Sequence, residues 1–178
     1  MDRLFKIVEQ ENIVLKYSNI YTSKRKINGL YLKDYSGPII ILDKRLEKNN
    51  RLHKCVLAEE LGHHFTVPRT NIVKIYASYN VYNKNNEFIK MAQDERKALR
   101  WATDFIINDV DFCRAVKEGY SSIHELADYF EVTEWFVYQK IQFLLCNSAN
   151  STNLININKK SLFEKSFLEG NILLGKTL

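Results

Sequence analysis

Glu59, Glu60, His63 and His64 lie within six residues of one another, in the stretch Arg51–Thr66, RLHKCVLAEELGHHFT. Read as a helix, that stretch puts Leu52, Val56, Glu59 and His63 in one line, so a carboxylate and an imidazole one turn apart continue an apolar stripe. Glu60 and His64 form a second such pair beside it. Titratable groups on a partly buried face carry a large desolvation cost unless they are paired or bound to metal. The spacing is one residue type away from His-Glu-x-x-His, in which two histidines one turn apart hold zinc and the glutamate acts as general base on the metal-bound water. Here the first position is Glu59, giving Glu-Glu-Leu-Gly-His, and a carboxylate oxygen is an acceptable zinc ligand. The same residues also suit a helix with a solvated acidic pair and one hydrogen-bonded histidine.

The elements that must position these groups are legible around them. Asn49 and Asn50 can cap the start of the helix, and Pro68 stands just past its end. A second helix is expected over about Lys90–Asn108, with Met91, Ala98, Trp101, Ala102, Phe105 and Ile106 as its apolar stripe. Glu95 falls between Met91 and Ala98 on that stripe and is expected to point into the core. An inward Glu needs a cationic partner, a helix end or a metal. A third ligand from a neighbouring helix is what the Glu59/His63 pair lacks, so the two oddities satisfy each other.

Upstream, residues 2–10 have the pattern of a short amphipathic helix, with Leu4, Phe5 and Val8 on one side. Ile13, Leu15 and Tyr17 alternate with mostly polar neighbours, as in a strand. Ile27–Lys33 gives a second strand, and Asp34-Tyr-Ser-Gly-Pro38 a turn in which Gly37 tolerates positive φ. Ile39–Leu42 is expected to be a third, fully buried strand. A helix, a small antiparallel sheet and the Arg51–Thr66 helix packed on it make an α+β core. Thr66–Asn86, rich in Tyr and Asn (Tyr76, Tyr79, Tyr82), reads as a long loop of the kind that forms a lid or substrate wall, or as half-buried packing.

With these blocks in view, the chain resembles the ImmA/IrrE family of zinc metallopeptidases. That family shows His-Glu-Leu-Gly-His in a helix where Ala precedes the motif, then Glu-x-x-Ala-x-x-(Phe/Trp)-Ala on the next helix. Here Ala58 precedes Glu59, and Glu95, Ala98, Trp101 and Ala102 match the second block. The resemblance spans roughly residues 10 to 145. It implies Zn2+ on Glu59, His63 and Glu95, with Glu60 as the catalytic base. Glu59 replaces the family's usual first His, and Asn108 stands where a Pro often closes the second helix. Members from prophages and mobile elements are small cytoplasmic anti-repressor peptidases that inactivate a cognate helix-turn-helix repressor by cleaving it. The implied organisation is a zincin-like metallopeptidase core over 1–112, a helical helix-turn-helix-like subdomain over 113–147, and a linker with a short amphipathic tail over 148–178. The alternative is a catalytically impaired module that binds a regulator without cutting it.

The rest of the chain narrows the function classes. Its 178 residues, 46% hydrophobic, suffice for one good core. No apolar run approaches the roughly 18 residues that span a bilayer, and the charged N-terminus does not read as a signal peptide. Cys55, Cys113 and Cys146 have no paired spacing and read as free thiols in a reducing cytosol, which points to a cytoplasmic protein. Residues 1–54 hold 12 Lys+Arg against 6 Asp+Glu, more than the whole chain's net charge of +5. The densest basic cluster, Ser-Lys-Arg-Lys at 23–26, reads as a solvated turn or a phosphate contact.

From Ser121 the pattern is that of two helices and a turn. Ile123, Leu126, Ala127 and Phe130 face inward on the first; Phe136, Val137 and Ile141 do so on the second; Val132 lies in the turn and Thr133 caps the second. As a DNA reader the second helix offers Gln139, Lys140 and Gln142. Residues 121–147 carry four acids and one Lys, a charge that repels phosphate and argues against direct DNA binding. His124-Glu125 begins another His-Glu pair, but Asp128 stands where its second His would fall.

Overall fold

The computed structural model describes residues 1–23, 26–67 and 84–148. Within these the chain is α+β, with three strands and six α-helices. It forms two compact units, residues 1–102 and 103–178.

In the first unit, α1 (Asp2–Gln10) buries Leu4 and Val8. Three strands follow, β1 (Val14–Ser18), β2 (Gly29–Asp34) and β3 (Gly37–Asp43). β2 and β3 are an antiparallel hairpin whose turn leads into Gly37 at φ +116, a conformation that only Gly adopts without strain. The expected all-antiparallel sheet is corrected here: the strand order is β1-β3-β2, and β1 runs parallel to β3, Val14 opposite Ile39 and Tyr17 opposite Leu42. Parallel pairing requires a crossover between β1 and β3, and that stretch includes β2, which then turns back against β3 on its other side. β3 is also not buried throughout. Ile40 and Leu42 are fully buried, whereas Ile39 and Ile41 are only half-buried, so one face of the sheet takes the core.

Asp43 at the end of β3 is a junction that the sequence did not announce. Its carboxylate accepts from the backbone N–H of Ile20 and Tyr21 and of Arg45, and from the Arg45 guanidinium at 2.6 Å. Burial pushes the carboxyl up, but these bonds, together with the Arg45 charge, hold it at about 2. The Arg45 guanidinium in turn lies 3.4 Å from the centroid of the Tyr21 ring. The connection after β1 is thereby tied to the 3-10 turn Lys44–Lys48, which leads into α2 (Asn50–Thr66). The Asn49 side chain accepts from the Leu52 N–H at 3.1 Å, the cap expected from the Asn pair. At its N-terminal half α2 carries His53, buried between Tyr17, whose hydroxyl is 3.1 Å from Nε2, and the edge of Phe5.

The next helix, α3 (Lys84–Ile106), starts earlier than expected and ends two residues sooner, because Asn108 caps a helix of its own. The Asn108 side chain accepts from the Asp111 N–H and opens α4 (Asp109–Lys117), which sequence periodicity left unread. Ala98 and Ala102 are fully buried, and Met91, Trp101, Phe105 and Ile106 are half-buried. The loop expected over Thr66–Asn86, with Tyr76, Tyr79 and Tyr82, falls almost wholly outside the described residues. So do part of the basic cluster at 23–26 and the tail beyond Ser148.

In the second unit, α5 (Ile123–Phe130) opens with a capping box, Ser122 and Glu125 satisfying each other's backbone N–H groups. Glu131 closes it in a left-handed conformation at φ 52, and α6 (Glu134–Ser148) follows, with the Thr133 hydroxyl accepting from the Phe136 N–H. Leu126, Val132, Phe136 and Val137 are fully buried or nearly so. Lys140, one of the side chains that a DNA-reading helix would have offered, is completely buried, with its ammonium 2.7 Å from Asp104 and also bonded to Asp109. A helix with its one Lys turned inward has no cation there for a phosphate. The apolar part of the Lys140 stem fills core volume while its charge is neutralised locally.

That arrangement predicts an asymmetry. Lys140→Met, which keeps the volume and removes the charge, is expected to change stability by less than about 1 kcal/mol. Asp104→Asn with Asp109→Asn leaves the ammonium buried without a counter-charge and is expected to cost about 2–3 kcal/mol. Urea unfolding of the two proteins measures the difference; equal costs would mean that the pairing contributes nothing.

Candidate metal and catalytic site

Two close approaches of backbone build the site. Gly62 on α2 faces Ala98 on α3, and a Cβ on Gly62 would lie 2.2 Å from the Ala98 carbonyl oxygen. Only glycine lets these two helices meet there, and their meeting brings His63 within reach of Glu95. The second approach is to the sheet. A Cβ on Gly29 of β2 would lie 2.4 Å from the Glu60 carboxylate and 2.7 Å from Val56. Gly29 therefore provides the space in which the Glu60 side chain lies against β2.

His63 is buried, and its Nε2 stands 3.4 Å from a Glu95 carboxylate oxygen. Two of the three expected ligands are thus brought together from separate helices. Glu95 is not the inward core residue that its place on the stripe predicts; its side chain is 52% exposed. The close packing of α3 begins at Ala98, while Lys90, Gln93, Glu95, Arg96 and Lys97 before it are exposed among the described residues. Glu95 therefore reaches the site from the rim. Glu59 is half-buried one turn before His63.

The electrostatics are those of a crowded acidic cluster. Burial, then the charge of Glu95, push the Glu59 carboxyl up to about 7 against the opposing pull of His63. Glu60 is pushed up to about 8, first by burial; His63 opposes this, Glu59 and Glu95 add to it, and a hydrogen bond from the Tyr31 backbone N–H lowers it. For His63 burial works against protonation, but contact with Glu95 and the charges of Glu60, Glu95 and Glu59 outweigh it and raise the imidazole. Three carboxyls gathered around one imidazole repel one another, and protonation or a cation is what lets them stay together.

Whether a metal fits can be tested on distances. Two ligands of tetrahedral zinc, each about 2.0–2.1 Å from the ion, stand about 3.3–3.4 Å apart. The His63–Glu95 separation of 3.4 Å matches that edge. Among the described residues, however, no group of three His, Cys, Asp or Glu side chains is arranged to hold a metal ion. His63 and Glu95 thus stand at a separation that two zinc ligands can take, and no third donor is arranged with them among the described residues.

His64, one residue from His63, turns away from the cluster. Its Nδ1 is 3.0 Å from the Tyr31 hydroxyl and its Nε2 is 3.2 Å from Glu11. His124 lies on the surface, 2.9 Å from Glu134 and 3.5 Å from Asp128, as the missing second His implied. Sequence reasoning did not find Gly29, Tyr31 or Glu11. Each acts across more than 25 residues of chain, and only the unexplained glycine at the start of a strand hinted at one of them.

A short α+β unit whose central helix carries Glu59, Glu60 and His63, met by Glu95 from the next helix, is a metallopeptidase-type domain. The profile of the IrrE N-terminal-like domain, peptidase M78, matches residues 9–142, and the chain belongs to that family. No curated protein and no solved structure matches it. No described helix is long and apolar enough to cross a membrane.

Proposed function

We propose that this chain is a zinc-dependent endopeptidase acting on a protein substrate, and that its partner is a helix-turn-helix repressor, as the resemblance to anti-repressor peptidases implies. The first unit serves as a zincin-like core, and the α5–α6 pair as a helix-turn-helix-like segment that packs or docks partners. The observation that carries the reading is the 3.4 Å approach of His63 to Glu95 beside the buried Glu60 carboxyl. His63, Glu95 and Glu59 are the residues that would hold the metal. Zinc, when bound, supplies a Lewis acid that polarises the scissile carbonyl and makes water easier to deprotonate. Glu60 accepts the proton. Its burial gives it a higher proton affinity than an exposed carboxylate has.

Metal content of the purified protein tests this. Wild type is expected to bind one zinc per chain, and His63→Ala or Glu95→Gln to weaken that binding by about 100-fold or more, since each removes one of three ligands. Zinc affinity that is unchanged in both variants would sink the site. Stoichiometric zinc without cleavage of any repressor would favour the binding module that does not cut.

A further inference from the structure

α6 buries Phe136, Val137, Lys140, Ile141 and Phe143 along one side. At about 100° per residue, Glu134, Trp135, Tyr138, Gln139 and Gln142 fall on the other. Trp135 is 50% exposed and Tyr138 38%, and three residues apart they are neighbours on the helix surface. The core of the α5–α6 pair is made by Leu126, Val132, Phe136 and Val137, all buried. Large aromatic side chains held at the surface are the kind that anchor contacts between proteins, because each removes much apolar area from water.

Carboxylates stand beside these rings. Glu134 opens the helix one residue before Trp135 and one turn before Tyr138, and Glu131 is exposed in the turn ahead of it. His124 Nδ1 meets Glu134 at 2.9 Å while its Nε2 lies 3.5 Å from Asp128, which brings a third carboxylate to the same end of α6. Residues 103–148 hold eight Asp+Glu against three Lys+Arg, and one of the three is the buried Lys140. Residues 1–102 hold 11 against 19, so the chain's positive charge lies outside the unit that carries Trp135. Such a face repels phosphate, whether of nucleic acid or of an anionic lipid surface. It suits a cationic protein segment, since an Arg can pair with a carboxylate through two hydrogen bonds or lie over a Trp or Tyr ring.

We propose that the Trp135–Tyr138 side of α6, with Glu131 and Glu134, is a docking face for a cationic amphipathic helix of a protein partner. Two aromatic anchors one turn apart, with acids at the N-terminal end of α6, match a helix whose apolar residues repeat every three or four positions and are flanked by Lys or Arg. In a helix-turn-helix repressor the segment with that chemistry is the helix that meets DNA, because it must be basic to approach phosphate. Docking there would cover the groups with which the repressor holds its operator. Only this identity of the partner rests on the function proposed above; the chemistry of the face does not.

A helix-forming peptide of about 20 residues, with Leu along one side and Arg along the other, tests this on the full chain. It is expected to bind and to shift the indole N–H signal of Trp135 in an NMR spectrum, leaving that of Trp101, the chain's other tryptophan, in place. Trp135→Ala with Tyr138→Ala, and separately Glu131→Gln with Glu134→Gln, are each expected to weaken binding by about tenfold or more, read from the anisotropy of the labelled peptide. All four side chains are exposed, so thermal unfolding of both proteins is expected to match wild type. A peptide with Glu in place of Arg is expected not to bind. Equal binding of the two peptides, wild-type affinity in either pair of variants, or a Trp135 signal that does not move overturns the proposal. So does a shift of that signal on adding duplex DNA, or a wild-type dimer that the aromatic pair of substitutions splits, which would give the face to a second copy. Repeating the titration in His63→Ala protein separates the two readings: peptide binding that persists there keeps the docking face whatever becomes of the zinc site.

Discussion

In Glu60→Gln protein, cleavage of the partner falls by about 10²–10⁴-fold, the usual contribution of a positioned general base. Zinc content and thermal stability stay near wild type. The physical ground is the burial of the side chain. Burial pushes this carboxyl well above the ordinary carboxylate range, so a neutral amide of the same shape replaces it at little electrostatic cost. Gly29 still leaves the amide room against β2. What the amide lacks is the ability to take a proton. Zinc measured by mass spectrometry and cleavage followed on a gel separate the two roles. Wild-type cleavage by the Gln variant would remove Glu60 from the reaction, whereas loss of zinc would place Glu60 among the ligands.

Gly62→Ala should remove the metal site without touching a ligand. The added Cβ would meet three backbone atoms of Ala98, its oxygen at 2.2 Å and its carbonyl carbon and Cα at 2.8 and 2.9 Å. Backbone cannot swing aside as a side chain can, so α2 and α3 must separate. The expected destabilisation is about 3 kcal/mol, at the upper end of the usual overpacking range. For a chain of this size that lowers Tm by roughly 6–12 °C. Separation also parts His63 from Glu95, whose 3.4 Å contact crosses the same helix pair, and zinc affinity is expected to drop with it. A calorimetric scan paired with a zinc titration measures both. A folded Gly62→Ala protein that binds zinc as wild type does would show that Glu95 is not a ligand.

Much of the site follows from local pattern. The types and spacing of Glu59, Glu60 and His63, the Asn49 cap and the Thr133 cap are all properties of a few consecutive residues, and helical periodicity exposes them directly. The pairing of Glu95 with His63 was also legible, because two unpartnered polar residues on apolar stripes call for each other. Its burial was not. A stripe marks which side of a helix faces the body, while the point at which the neighbour begins depends on where Gly62 lets α2 in, and that point is Ala98. Tertiary structure likewise decided that β1 lies parallel to β3, since alternation specifies a strand's faces and says nothing of its partner. It turned Lys140 inward to Asp104 and Asp109, a placement that a count of charges does not show. It also took His64 out of the acidic cluster, to Glu11 and Tyr31, 53 and 33 residues away in the chain. The sequence by itself determined which chemical groups sit on the central helix. Which of them face one another was settled by backbone approaches at Gly29 and Gly62, because a contact between distant segments is set by the space left between them and not by the residues on either side alone.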